Sequence, residues 1–209
     1  MNKTEIPGSF PSDPSGAFSL AVDGMGGDGA PEVVVAGLAI AAERHRDLRV
    51  LLIGDEARLQ PLLARYPRAA AVCTVWHTDV SIPMDMKPTQ ALRQRQSSMR
   101  LAMDAVASGR AQGVVSAGNS GAMLALAKIV VKTLPGISRP AMAAISPTVK
   151  GDVVMLDLGA NVVCDWRNLV EFAVMGEAFA KSVLGLPAPT IGLLNIGSEE
   201  LKGDEKLRV

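Results

Sequence analysis

Short apolar runs alternate with longer stretches of helical periodicity along most of this chain. The runs Phe18–Val22, Arg49–Ile53, Ala71–Trp76, Gly113–Ser116, Ala141–Ile145, Val153–Leu158 and Thr190–Ile196 are rich in Val, Leu or Ile. Most of them close on Gly, Asp or Ser, and the fifth runs into Pro147. Such bounded runs predict strands. Between them the pattern predicts helices over Glu32–Arg44, Glu56–Ala64, Ser97–Ser108, Ser120–Lys132 and Leu169–Leu184. In the first, Val34, Leu38 and Ala41 recur at i, i+4 and i+7, as one buried face requires. Strand–helix alternation of this kind predicts a three-layer α/β/α fold, with a mostly parallel sheet covered on both faces and right-handed crossovers. Ligands of such sheets sit in the loops that leave the carboxyl ends of the strands.

The two ends of the chain read differently. Residues 1–17, MNKTEIPGSFPSDPSGA, are rich in Pro, Ser and Gly and contain no apolar core of a secretion signal, so a flexible tail is expected there. Residues 18–209 are expected to form one α/β domain. After the run Thr190–Ile196 fewer residues remain than a crossover helix needs, so the C-terminal part of that domain is expected to be missing.

Composition narrows the class. Hydrophobic residues make up 48% and aromatic residues 3%, which suits an aliphatic parallel sheet better than an aromatic-cored sandwich. The 21 acidic and 21 basic residues cancel, which argues against nucleic acid as the main partner. Cys73 and Cys164 lie far apart, with no Cys/His cluster to suggest a metal, and read as reduced thiols of a cytoplasmic protein. No apolar run reaches the roughly 18 residues of a membrane span. Peripheral contact with a membrane stays open.

Four loops carry the candidate chemistry. In DGMGGDGAPE (Asp23–Glu32), Gly26 and Gly27 allow close backbone approach to a ligand, and Asp28 is placed to cap the following helix. A tight strand-to-helix turn accounts for the same residues. The glycines fall as GMGGDG, so the dinucleotide fingerprint is absent. In VVSAGNSGAM, the small residues Ser116, Gly118, Asn119, Ser120 and Gly121 stand at a helix start, where free N–H groups and the helix dipole favour an anion. Asn119 and Ser120 add side-chain donors; simple capping of the helix is the plainer alternative. In LDLGANVVCD, Asp157 precedes Gly159, Ala160 and Asn161 and is either a proton acceptor or the closure of an Asx turn. In LLNIGSEELKG, Asn195 and Lys202 follow a buried run, with Lys202 a charge-neutralising candidate. Arg93 and Arg95, in MKPTQALRQRQSSM, are a further anion grip or a solvated turn. His77 is a base or a strand-end cap.

Taken together and in order, AVDGMGGDGAPE, MKPTQALRQRQSSM, VVSAGNSGAM, PGISRPAMAAISPT, LDLGANVVCD, EFAVMG and GLLNIGSEELKG resemble the bacterial PlsX-type phosphate acyltransferases, over Phe18 to Val209. The resemblance implies a fold related to isocitrate/isopropylmalate dehydrogenases and phosphotransacetylases. It implies transfer of an acyl group from acyl carrier protein to inorganic phosphate, without a cofactor. It also implies a cytoplasmic homodimer, loosely membrane-associated, that feeds a membrane acyltransferase acting on glycerol 3-phosphate. Family members continue well past the position of Val209.

Phosphate is itself the nucleophile in such a reaction, so no catalytic Ser or Cys is required. The expectation is that Ser116–Gly121 holds phosphate, that Lys202 and Arg139 neutralise charge, and that Asp28 or Asp157 orients donors or handles a proton. Two other readings remain open: a decarboxylating dehydrogenase of the related fold, and a carrier-binding module without turnover.

Overall fold

The computed structural model describes residues 18–161 and 163–194. The stretch expected as one domain divides into two compact units, one ending at Lys132 and the other starting at Thr133.

The first unit holds strands β1 (Phe18–Asp23), β2 (Leu48–Gly54), β3 (Cys73–His77) and β4 (Gly113–Val115). They form one sheet in the order β3-β2-β1-β4, and all three pairings are parallel. Its helices are α1 (Glu32–Arg44), α2 (Glu56–Arg65), α3 (Pro67–Val72), α4 (Pro88–Ala91), α5 (Ser98–Ala107) and α6 (Ser120–Val130).

Strand β2 shows why its sequence is nearly all apolar. Val50 and Leu52 pack with Val35 and Leu38 of α1 and Leu59, Leu62 and Leu63 of α2. Leu51 and Ile53 pack instead with Trp76 and with Leu101, Ala102 and Ala105 of α5. Alternate side chains thus serve opposite layers, and a strand buried on both faces has no room for polar alternation. Each such buried Leu or Ile stabilises the fold by roughly 1.5–3 kcal/mol. A third cluster joins Met99 and Met103 of α5 to Ala122 and Leu126 of α6.

The helices match the sequence expectation closely, with local causes visible. Asp55 caps α2 by accepting from Ala57 N, and Ser97 caps α5 by accepting from Arg100 N. Helix α5 stops where Gly109 takes φ 75° and Arg110 N returns to Ala105 O, a glycine-type termination. Two expectations change. The strand expected over Ala71–Trp76 begins only at Cys73, because Pro67 at a helix start and the three alanines Ala69–Ala71 favour the short helix α3. Asp28 does not cap α1: the cap position is Pro31, without a side-chain cap, and Val33 N bonds the backbone of Gly29.

The second unit contains β5 (Ala143–Thr148), β6 (Gly151–Leu156) and α7 (Trp166–Val183). The two strands pair antiparallel, against the expectation of parallel neighbours. Only Val149 and Lys150 separate them, whereas a parallel crossover needs a dozen or more residues. Thr148 closes the turn: its Oγ1 donates to Gly151 O at 2.7 Å and accepts from Lys150 N at 3.2 Å. Helix α7 starts one turn before the expected Leu169, because Asp165 and Asn168 form a reciprocal capping box. The strand expected over Thr190–Ile196 is not formed over 190–194, and its remainder lies outside the described residues. Residues 1–17 lie outside them too.

Candidate anion site at the sheet switch point

The strand order places β1 between β2 and β4. From β1 the chain proceeds outward to β2 and β3, then returns to the other side of β1 as β4. That reversal sets the carboxyl ends of β1 and β4 side by side, the usual ligand position in open α/β sheets. Two of the sequence-selected loops leave the sheet at this point.

The last residue of β1, Asp23, sits there with only 2% of its surface exposed. Its Oδ1 accepts from Met25 N at 3.1 Å, which shapes its own loop. Its Oδ2 accepts from Ser116 Oγ at 2.8 Å, which ties that loop to the end of β4. Ser116 Oγ accepts in turn from Gly118 N at 3.1 Å. The glycines make this closeness possible. A Cβ on Gly26 would lie 2.5 Å from Asp23 Oδ2 and 2.9 Å from Ser116 Oγ, and one on Gly27 would lie 2.9 Å from Ala117 O. Gly27 also takes φ 98°, a conformation that L side chains rarely adopt. The two turns therefore pack backbone against backbone.

Asn119 closes the same region from beneath α6. It is 9% exposed. Its Oδ1 accepts from Ala122 N at 3.0 Å, the cap of α6. Its Nδ2 donates to Met84 O and Met86 O, both at 2.8 Å, with Pro83 O at 3.4 Å. An amide nitrogen has two protons, and both are spent on backbone carbonyls. Asn119 thus holds the 83–86 segment in place and has no proton left for a phosphate. Ser120 and Gly121 are exposed in the first turn of α6. Their N–H groups, and those of Gly26 and Gly27, have no hydrogen-bond acceptor among the described residues. A helix start with orphan N–H donors favours an anion. Asp28 lies exposed in the same β1 loop.

Asp23 was not singled out from the sequence. The signal was present: FSLAVD ends an apolar strand on an acidic residue followed by glycine, the pattern that drew attention to Asp157.

In the second unit, Asp157 organises its loop as the Asx-turn alternative describes. Its Oδ1 accepts from Met142 N at 2.7 Å, and its Oδ2 from Asn161 N at 2.7 Å and Asn161 Nδ2 at 3.1 Å. Asn161 Nδ2 also reaches Pro140 O at 3.0 Å. Gly159 takes φ 77° and lets the turn before Ala160 close. Arg139 Nη1 donates to Val163 O at 3.1 Å, so it braces this loop. The structure brings Arg139, Asp157, Gly159, Ala160 and Asn161 into one cluster of the second unit, while Gly26, Gly27, Ser116, Gly118, Asn119, Ser120 and Gly121 meet in the first. Asn195 and Lys202 lie outside the described residues.

The remaining candidates have plainer roles. His77 Nδ1 accepts from Glu56 N at 3.2 Å, at the start of α2. Arg93 and Arg95 are exposed beyond α4. Among the described residues, no three His, Cys, Asp or Glu side chains group as a metal site, and no helix is long and apolar enough to cross a membrane. Burial pushes the Cys73 thiol up to about 12.

The sequence model of a family described as fatty acid synthesis protein matches residues 18–209. The chain is 84% identical over 191 residues to a protein of Gluconacetobacter diazotrophicus named phosphate acyltransferase, covering 91% of this chain and 51% of that protein. Proteins of the same name from Gluconobacter oxydans and Granulibacter bethesdensis are 71% and 69% identical, over 93% and 92% of this chain and 53% and 52% of their own lengths. The chain thus spans about half the length of these relatives. Among solved structures, the EutD phosphotransacetylase from Staphylococcus aureus superposes with a TM-score of 0.56 at 18% identity, covering 78% of this chain and 52% of that one. That likeness concerns the α/β fold, a mostly parallel sheet with flanking helices.

Proposed function

This chain belongs to the fatty acid synthesis protein family, and on that premise we propose that it carries the phosphate seat of an acyl-carrier-protein:phosphate acyltransferase. One observation carries the reading. Two small-residue turns meet at the sheet's switch point and leave the N–H groups of Gly26, Gly27, Ser120 and Gly121 without acceptors among the described residues.

In this mechanism, inorganic phosphate rests against those amides. One phosphate oxygen attacks the carbonyl carbon of the acyl thioester. A C–O bond forms, and the carbonyl becomes a tetrahedral oxyanion. Collapse of that intermediate breaks the C–S bond and releases acyl phosphate and the carrier thiolate, which takes a proton. The protein's contribution is placement of the nucleophile and stabilisation of developing charge by fixed dipoles. Asn119 serves as a positioning residue, through the cap of α6 and the 83–86 segment. Asp157 and Arg139 shape the second unit's loop, and Lys202 is the candidate for neutralising charge. Acyl carrier protein as donor, a second copy of the chain as partner, and a membrane acyltransferase as consumer of the acyl phosphate belong to the same reading.

Hydroxylamine trapping tests it. Acyl hydroxamate formed only when acyl carrier thioester and phosphate are both present is the expected result. Carrier binding without product would favour a non-catalytic module, and nicotinamide reduction would point to a dehydrogenase.

A further inference from the structure

One stretch of the first unit is charged in a single sense. From Lys87 to Met103 the sequence holds four cations, Lys87, Arg93, Arg95 and Arg100, and no acid, in a chain of zero net charge. Arg100 is paired with Asp104 at 3.0 Å. Lys87, Arg93 and Arg95 are exposed and form no ion pair among the described residues. Asp85, exposed shortly before Lys87, borders the stretch.

Buried polar groups hold this surface in place. Thr78, 6% exposed, donates through Oγ1 to Gln96 O at 2.6 Å. Ser97, fully buried, donates through Oγ to Gln94 O at 2.9 Å, and Ser98 N donates to Val80 O at 2.9 Å. Ala91 is buried, and Leu92 packs against the cluster that joins α5 to α6. On the other side Asn119 fixes the carbonyls of Met84 and Met86. The cations are thus displayed from a backbone anchored before and after them, which lowers the ordering cost of binding a partner. The surface also adjoins the phosphate seat: a Cβ on Gly121 would lie 3.2 Å from Pro88 Cγ, so α4 starts against the first turn of α6.

We propose that the surface carrying Lys87, Arg93 and Arg95 docks the acyl carrier protein, through acidic side chains of the carrier and the phosphodiester that tethers its thioester arm. The proposal rests on the acyl-transfer reading given above and adds to it the place where the donor lands. Charge complementarity selects this partner. Guanidinium groups match phosphodiester and carboxylate oxygens, and an unpaired cationic face steers an acidic protein before contact. A carrier seated on α4 holds its arm beside the start of α6.

Binding of a fluorescently labelled palmitoyl carrier to the 209-residue chain, followed by anisotropy, tests the proposal. Reversing both arginines, Arg93→Glu with Arg95→Glu, is expected to weaken carrier binding about tenfold or more. Arg44→Glu with Arg46→Glu changes net charge equally at the opposite end of the sheet, before β2, and should weaken it at most about twofold. Phosphate-induced amide shifts at Gly26, Gly27, Ser120 and Gly121 should persist in both variants. Circular dichroism checks folding; if the first reversal does not fold, Arg93→Ala and Arg95→Ala replace it, each expected to weaken binding about threefold. Equal losses in the two reversals, or carrier affinity unchanged by changes at Arg93 and Arg95, would overturn the proposal and leave the phosphate seat standing. So would phosphatidylglycerol vesicles that need these arginines for binding while the carrier does not, since the surface would then face a membrane. A wild-type chain that binds no carrier while its amides still respond to phosphate would overturn the carrier reading and the docking surface together.

Discussion

Asp23 and Asp157 stand at equivalent points of two different units, and their surroundings diverge. Each ends or follows a strand, each precedes a glycine-containing turn, and each accepts from its own loop and from a neighbouring segment. Asp23 lies between parallel strands of a sheet packed on both faces. Asp157 follows a two-stranded hairpin whose one long helix buries Phe172, Ala180 and Asn168 while leaving Val170, Val174 and Val183 more than half exposed. Local hydrogen bonding around an aspartate is therefore poor evidence of a site. The difference lies in the setting: Asp23 ties two turns together at the switch point of a parallel sheet, whereas Asp157 closes its own loop after a hairpin. The N–H groups of Gly159 and Ala160 lack acceptors among the described residues just as those of Gly26, Gly27, Ser120 and Gly121 do.

Perturbations of graded size sharpen this contrast. The largest effect should come from Leu52→Ala, which opens a cavity under the central sheet and should cost about 2–5 kcal/mol in urea unfolding. Asn119→Ala should follow, at about 2 kcal/mol, since it removes a helix cap and strands the carbonyls of Met84 and Met86. Asn119→Asp keeps the cap acceptor and loses the donors. Amide exchange should then quicken in 83–86 while the start of α6 stays protected, an outcome that a pure capping role would not produce.

Asp165→Ala, in the thinly packed unit, should cost about 1 kcal/mol through loss of the α7 capping box, read by thermal unfolding. Cys73 acts only in alkali. Its thiol is raised by burial from 9.0 to about 12, so the folded state keeps a proton that the unfolded state has lost. Stability should fall as pH climbs through that window, and Cys73→Ala should flatten the fall. Smallest of all, Lys181→Ala breaks an exposed i,i+4 pair with Glu177 and should change stability by about 0.3–0.5 kcal/mol.

Much of the fold was legible because apolar periodicity and capping residues point the same way. Helix α1 falls on the expected Glu32–Arg44, and Ser97, the expected first residue of α5, is its cap. Pairing direction was less legible. The seven residues between Ile145 and Val153 were too few for a crossover, a constraint of chain length that strand propensity does not express. In the site, the glycine turns were visible, but the use of each polar group was not. Asn119 offers the same amide to a ligand or to two carbonyls, and only the position of the 83–86 segment decides between them. The role of Asp23 is not legible in the sequence, because a strand-end carboxylate gains meaning from its cross-sheet partner, 93 residues away in sequence.

The central claim is that backbone amides at the carboxyl ends of β1 and β4 seat inorganic phosphate. Amide chemical shifts of the ¹⁵N-labelled chain, followed through a phosphate titration, test it most directly. Saturable shifts centred on Gly26, Gly27, Ser120 and Gly121 are the predicted result. Shifts centred instead on the loop of Arg139, Asp157 and Asn161, with those four amides unmoved, would contradict it.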